Sequence, residues 1–188
     1  QALVERLQAL AEFPLLAANM SRDDGMMVAL PYWIEVRNGV RVGIIGLTNP
    51  DAPRWDGEKV DMFNYAAVGP ACRKVVDILK NKVDVIIVAA HVGLFPEYDE
   101  ENGSDGANKI LELCPEIDAL IVGHAHILVY KKEGGVVIGG GRNLGRDVIR
   151  FDISLDKDKN VIDSKVEVVD MAKYAPSEAL RAVPFIAE

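Results

Sequence analysis

From Val83 to Ala90 the chain reads Val-Asp-Val-Ile-Ile-Val-Ala-Ala, so a strand formed here carries apolar side chains on both faces. Val83, Val85, Ile87 and Ala89 fall on one side, and Ile86, Val88 and Ala90 on the other. A half-exposed strand alternates apolar with polar residues; this one needs cover above and below, as a central parallel strand of an α/β sheet does. Ile117-Asp118-Ala119-Leu120-Ile121-Val122 reads as another buried strand.

Other elements follow from local chemistry. Tyr32–Arg37 and Val40–Leu47 flank Asn38-Gly39, a pair that readily supplies the positive φ angles of a type I′ turn, so a hairpin is expected. Leu3, Leu7 and Leu10 make a helical stripe over 2–11, and Phe13 to Asn19 reads as a short buried strand. Pro70 suits a first helical turn, with Ala71, Val75, Ile78, Leu79 and Lys82 on one face behind it. A short helix is expected over 107–114. Strands are expected at 136–138, 147–155 and 161–169, with Gly139 to Gly145 as a tight turn between the first two. Helix–strand–hairpin–helix–strand–helix–strand, then mostly strands, predicts a mixed α/β (α+β) sandwich.

At 188 residues and 49% hydrophobic, the chain is long enough for one domain or a large piece of one. A formal charge of −8 argues against a nucleic-acid polymer as partner, since a phosphate-backbone footprint needs clustered Lys and Arg. No apolar stretch approaches the roughly 20 residues of a membrane span. Cys72 and Cys114 are too few and too widely spaced for a metal knuckle, and core filling is expected of both. Glu97, Asp99, Glu100, Glu101 and Asp105 crowd the loop 94–106. Their spacing fits no EF-hand, so a solvated acidic loop is expected rather than a calcium site.

The chain has three histidines. His91 follows the first apolar run directly, and His124 and His126 follow the second as Gly-His-Ala-His. Loops at the carboxyl ends of strands are where open α/β sheets place ligands, and neutral imidazole is a common metal ligand. Three imidazoles at one sheet edge therefore suggest a metal site, against the plainer alternative of three unrelated loop histidines.

Four segments occur in a telling order: Leu15 to Asn19; Val42-Gly43-Ile44-Ile45-Gly46-Leu47-Thr48; Val83 to Ile87 leading to His91-Val92-Gly93; and Ile117-Asp118 leading to Gly123-His124-Ala125-His126. Together they resemble the calcineurin-like metallophosphoesterases, in the branch of 5′-nucleotidases and 2′,3′-cyclic-nucleotide 2′-phosphodiesterases, over roughly residues 3–169. Pro31 to Ile34, Thr48-Asn49-Pro50 and Pro53-Arg54-Trp55 look closer to the cyclic phosphodiesterases. The resemblance implies an αββα sandwich, two divalent ions such as Zn²⁺ or Mn²⁺, a nucleotide substrate, and a periplasmic, cell-wall or secreted bacterial protein. It makes His91, His124 and His126 metal ligands.

The family's first motifs, Asp-x-His, Gly-Asp and Gly-Asn-His-Glu, have no counterpart here, and with them goes the catalytic histidine; no catalytic residue is assigned. Asn19 does not correspond to the metal-binding Asn of the absent motif. On this resemblance, 1–170 reads as the second half of a catalytic domain, incomplete at its N-terminus, and 171–188 as a linker or helix toward a C-terminal substrate domain. The expected partners are thus the preceding half and that domain, and the isolated chain is expected to be inactive. A glycine loop beside the family's metal cleft makes Arg142 and Asn143 minor substrate-contact candidates. As a dinucleotide fingerprint that loop fails, because Leu144 stands where a third Gly is required. Trp33 is expected in the core, and Trp55 is left open between core and base stacking. Two other functions stay in view: a non-catalytic binding or scaffold module on the same fold, and sulfur-ester hydrolysis on the same scaffold.

Overall fold

The computed structural model describes residues 2–97 and 106–182. In chain order they form α1 (Ala2–Leu10), β1 (Met20–Arg22), β2 (Tyr32–Arg37), β3 (Val40–Leu47), α2 (Ala52–Asp56), β4 (Phe63–Tyr65), α3 (Val68–Leu79), β5 (Val85–Ala90), α4 (Asn108–Leu113) and β6 (Ala119–Val122). Then follow β7 (Val129–Glu133), β8 (Val136–Gly140), β9 (Asp147–Leu155), β10 (Val161–Asp170) and α5 (Glu178–Arg181). The fold is mixed α/β, as expected. Its centre is a six-stranded sheet in the order β2-β3-β5-β6-β8-β7. The four inner strands are mutually parallel, and β2 and β7 run antiparallel at the edges.

The Asn-Gly hairpin forms in the expected register, with Asn38 and Gly39 at φ 51° and 78°. Ile45 and Leu47 of β3, Ile86, Val88 and Ala90 of β5, Leu120 and Val122 of β6, and Ile138 of β8 face α3 and α4 and make the core. Helix α3 contributes Val68, Ala71, Cys72, Val75, Val76 and Leu79. Ile78, expected on that face, is exposed; the buried stripe runs through Cys72, Val76 and Leu79, one position later than a stripe through Ile78 would. Cys72 and Cys114 are buried free thiols, as expected.

The other face of the sheet is covered unevenly. The β9–β10 hairpin packs over β8 so closely that a Cβ on Gly139 would lie 2.4 Å from Ile149 and 2.7 Å from the ring of Phe151. Gly139 and Gly140 therefore end a buried strand, and the turn expected over 139–145 is confined to the residues after it. Farther along this face Ile44, Ile87 and Ala89 are half-buried, while Ile121 and Trp33 are exposed. Trp33 is thus not the core residue expected; its indole N–H reaches Glu35 at 3.2 Å instead.

Residues 13–19 form no strand. Leu16 makes one bridge to Leu30, and the Ala18 N–H donates to the Gly46 carbonyl at 2.7 Å. The segment is pressed against β3 at Gly46, beyond Ile45, the partner of the first residue of β2. The stripe of α1 is also uncovered at Leu7 and Leu10, because the helix is moored by polar contacts, Gln8 to the Val28 carbonyl and Glu5 to Arg22. Among the described residues no helix is long and apolar enough to cross a membrane. Of the acidic loop, Asp99, Glu100, Glu101 and Asp105 lie outside the described residues.

Candidate functional site

The parallel register brings the carboxyl ends of β3, β5, β6 and β8 to one edge. From β3 come Thr48 and Asn49, then α2 with Trp55. From β5 comes His91, whose N–H extends the ladder to the Leu47 carbonyl at 2.9 Å. From β6 come His124 and His126, and from β8 the turn with Arg142 and Asn143. All five site residues expected from the sequence thus lie along one edge.

The Gly-His-Ala-His turn is strained where the imidazoles sit. The Ala125 N–H donates to the Gly123 carbonyl at 2.7 Å, closing a three-residue turn around His124 at φ 62°. His126 follows at φ 55°. Positive φ is uncommon outside Gly, a γ-turn of this hand is rare, and such positions cluster at functional sites. Gly123 does not carry the positive φ. A Cβ there would meet His91 Nδ1 at an ordinary 3.4 Å.

His124 is held from three sides. Its Nε2 lies 2.8 Å from Glu97 Oε2. The Trp55 ring lies 4.7 Å away, tilted 46°, and the His91 ring meets it edge-on at 5.4 Å and 74°. Burial, with His124 and His126 as neighbours, pushes the His91 pKa below its ordinary value. At neutral pH that ring is uncharged, the form in which imidazole binds metals. An apolar cavity of 490 Å³ opens beside His124, walled by Val92, Leu94, Phe95, Val122, Ile127 and Val129, with Asn49 and Glu97 among its few polar lining groups.

Neutral imidazoles are suitable donors for a transition ion. Yet among the described residues no three His, Cys, Asp or Glu side chains converge to hold an ion. The donors fit part of a metal centre and do not complete one.

The other polar groups at this edge are committed to structure. Asn19 is buried; its Oδ1 accepts from the Thr48 N–H, and its Nδ2 donates to the Thr48 and Ala66 carbonyls. Its whole amide is spent tying β3 to β4, as suits a residue set apart from the metal-binding Asn. Asn49, also buried, accepts from the Asp51 N–H at 2.8 Å. Arg142 grips Asp147 with Nε at 2.8 Å and Nη2 at 2.7 Å, and Asp147 also accepts the Arg142 backbone N–H. The guanidinium holds the Asp147 carboxyl down to about 2. Asn143 is half-buried in the same turn.

Sequence reasoning missed Glu97 and Trp55 as neighbours of His124. Glu97 was counted with its acidic loop, and nothing in a single sequence pairs it with a residue 27 positions on. Trp55 carried a weak signal, since it follows a strand that ends at the same edge.

No family model matches the chain. It is 27% identical over 184 residues to the uncharacterized metallophosphoesterase YunD of Bacillus subtilis, covering 93% of this chain and 37% of that protein. To the 2′,3′-cyclic-nucleotide 2′-phosphodiesterase/3′-nucleotidase of Haemophilus influenzae it is 27% identical over 135 residues, 65% of this chain and 20% of that one. The crystal structure of the calcineurin-like phosphoesterase YfkN from Bacillus subtilis superposes with a TM-score of 0.76 at 26% identity, over 89% of this chain and 58% of that one.

The chain therefore has the calcineurin-like phosphoesterase fold. Its homologues and structural neighbours are metallophosphoesterases and 5′-nucleotidases, hydrolases of which it spans only a part.

Proposed function

We propose that this chain supplies one half of a two-metal centre that hydrolyses phosphate esters of nucleotides. His91, His124 and His126 are the ligands it brings. The observation that carries the reading is the convergence of β5 and β6 on one edge, with His91 and His124 ring to ring at 5.4 Å and both histidines of the Gly-His-Ala-His turn at positive φ. Strain of this kind costs on the order of 1–3 kcal/mol per residue and clusters at functional sites. The remaining ligands and the catalytic histidine come from the motifs that precede this region in the resembling family, and the whole protein acts outside the cytoplasm.

Bound divalent ions would lower the pKa of a water and polarise the phosphoryl oxygens. The chain's own residues hold and orient: His91 stays neutral beside His124 and His126, and Glu97 and Trp55 fix His124. The apolar cavity limits water on one side of that ring. Arg142, committed to Asp147, shapes the rim of the site, and Asn143 remains the substrate-contact candidate of that turn. The resemblance of the Pro53-Arg54-Trp55 stretch favours a 2′,3′-cyclic nucleotide over a 5′-mononucleotide.

The whole protein, assayed on a 2′,3′-cyclic nucleotide, a 5′-mononucleotide and an aryl phosphate, should prefer the first. His124→Ala and His126→Ala should each remove turnover by several orders of magnitude, more than the roughly 10²–10³ lost with a single oxyanion donor. Near-normal rates in either variant would contradict the ligand assignment.

A further inference from the structure

We infer that Glu97 is a positioning residue that determines which nitrogen of His124 faces the metal. The inference rests on the ligand reading of His124 proposed above. Glu97 Oε2 lies 2.8 Å from His124 Nε2. An ionised carboxylate can only accept, so the contact requires Nε2–H to donate. In neutral His124 the lone pair then belongs to Nδ1, and Nδ1 is the nitrogen offered to an ion. A carboxylate on the far nitrogen of a ligating histidine fixes the tautomer and ring orientation and raises the basicity of the ligating nitrogen.

The surroundings make this an orienting contact rather than a stabilising one. The Glu97 side chain is 49% exposed, and a pair that open to water contributes little to folding. His124, by contrast, is confined: Trp55 packs at 4.7 Å, the His91 edge abuts it at 5.4 Å, and the backbone is locked in the turn closed by the Ala125 N–H. To exchange its two nitrogens the imidazole must flip past the indole and abandon Glu97. Trp55 and Glu97 thus act together, one blocking the flip and the other setting its sense.

Two readouts on the protein test this. Without metal, a hydrogen-bonded Nε2–H proton signal, identified by its absence in His124→Ala, should be seen by NMR at low temperature. It should vanish in Glu97→Ala and survive in Glu97→Gln, whose side-chain carbonyl still accepts; backbone amide spectra report that the fold is kept. With Zn²⁺ as the probe, Glu97→Ala should weaken binding about 10–100-fold and Glu97→Gln should restore most of it. If His124→Ala binds Zn²⁺ as wild type does, the ligand reading itself fails. If His124→Ala loses binding but Glu97→Ala changes neither the ring proton nor the affinity, the positioning role alone is overturned. It is overturned equally if Glu97→Ala weakens Zn²⁺ while the ring proton stays, because Glu97 would then act on the ion directly.

Discussion

Strands β5 and β6 are each bracketed by an Asp at the start and a His past the end: Asp84 and His91, Asp118 and His124. The two ends of the same pair of strands are built in opposite ways. At the amino edge Asp84 accepts three bonds from Arg41, two from the guanidinium and one from the backbone N–H, and Asp118 accepts the N–H of Ile86. These carboxylates clip neighbouring strands together, and their geometry is explained by the fold alone. At the carboxyl edge the backbone is strained and an apolar cavity opens beside the imidazoles. An edge that costs stability where a cheaper turn was available is the one to which chemistry is assigned.

The largest effect expected of this contrast is at His126, exposed and at φ 55°. His126→Gly should abolish turnover of the whole protein and at the same time raise stability, by up to about 1 kcal/mol, since Gly adopts this φ without penalty. Enzyme assays with denaturant melts read both signs; a loss of stability would remove the strain argument. Next is Gly139→Val. The added side chain would collide with Ile149 and Phe151, and overpacking of this kind should cost about 1–3 kcal/mol in a urea melt.

Smaller effects sharpen the amino edge through pH. The Arg41 guanidinium, with its backbone N–H, holds the Asp84 carboxyl well below the ordinary range. Its contribution is present above the ordinary Asp value and disappears as pH falls through the depressed one. Asp84→Asn should therefore destabilise at neutral pH and approach wild type in strong acid. Asp118 has the opposite sign, because burial raises its carboxyl. Its stability is full in acid and falls as pH rises through the raised value. Asp118→Asn, which still accepts from Ile86, should be slightly more stable than wild type at neutral pH and equal to it in acid. Melts from strong acid to neutral pH separate the two, and parallel profiles would mean that the edge is not clipped as described.

How far the sequence revealed this arrangement depended on the range of the interaction. The hairpin was legible because Asn38 and Gly39 carry their turn chemistry themselves. So were β5 and β6, whose two-sided apolar runs admit few other placements, and with them the edge on which the histidines fall. Edge strand β7 was missed because Lys131, Lys132 and Glu133 give it the look of a polar loop, although an edge strand tolerates such residues. Residues 13–19 looked like a strand because they are mostly apolar, yet it is Leu16 that is placed against Gly46, a contact invisible along the chain. Trp33 and Ile78 were placed by periodicity, which cannot tell which stretch of a face receives a neighbour. Glu97 on His124 is a long-range pairing that only the fold supplies.

The central claim is that the carboxyl edge holds part of a metal centre. Titration calorimetry of this chain with Zn²⁺, set beside its His91→Ala/His124→Ala/His126→Ala variant, tests it most directly. Weak binding that the triple variant loses is the predicted result, because imidazoles without the remaining ligands make an incomplete site. Equal binding by the two proteins would contradict it.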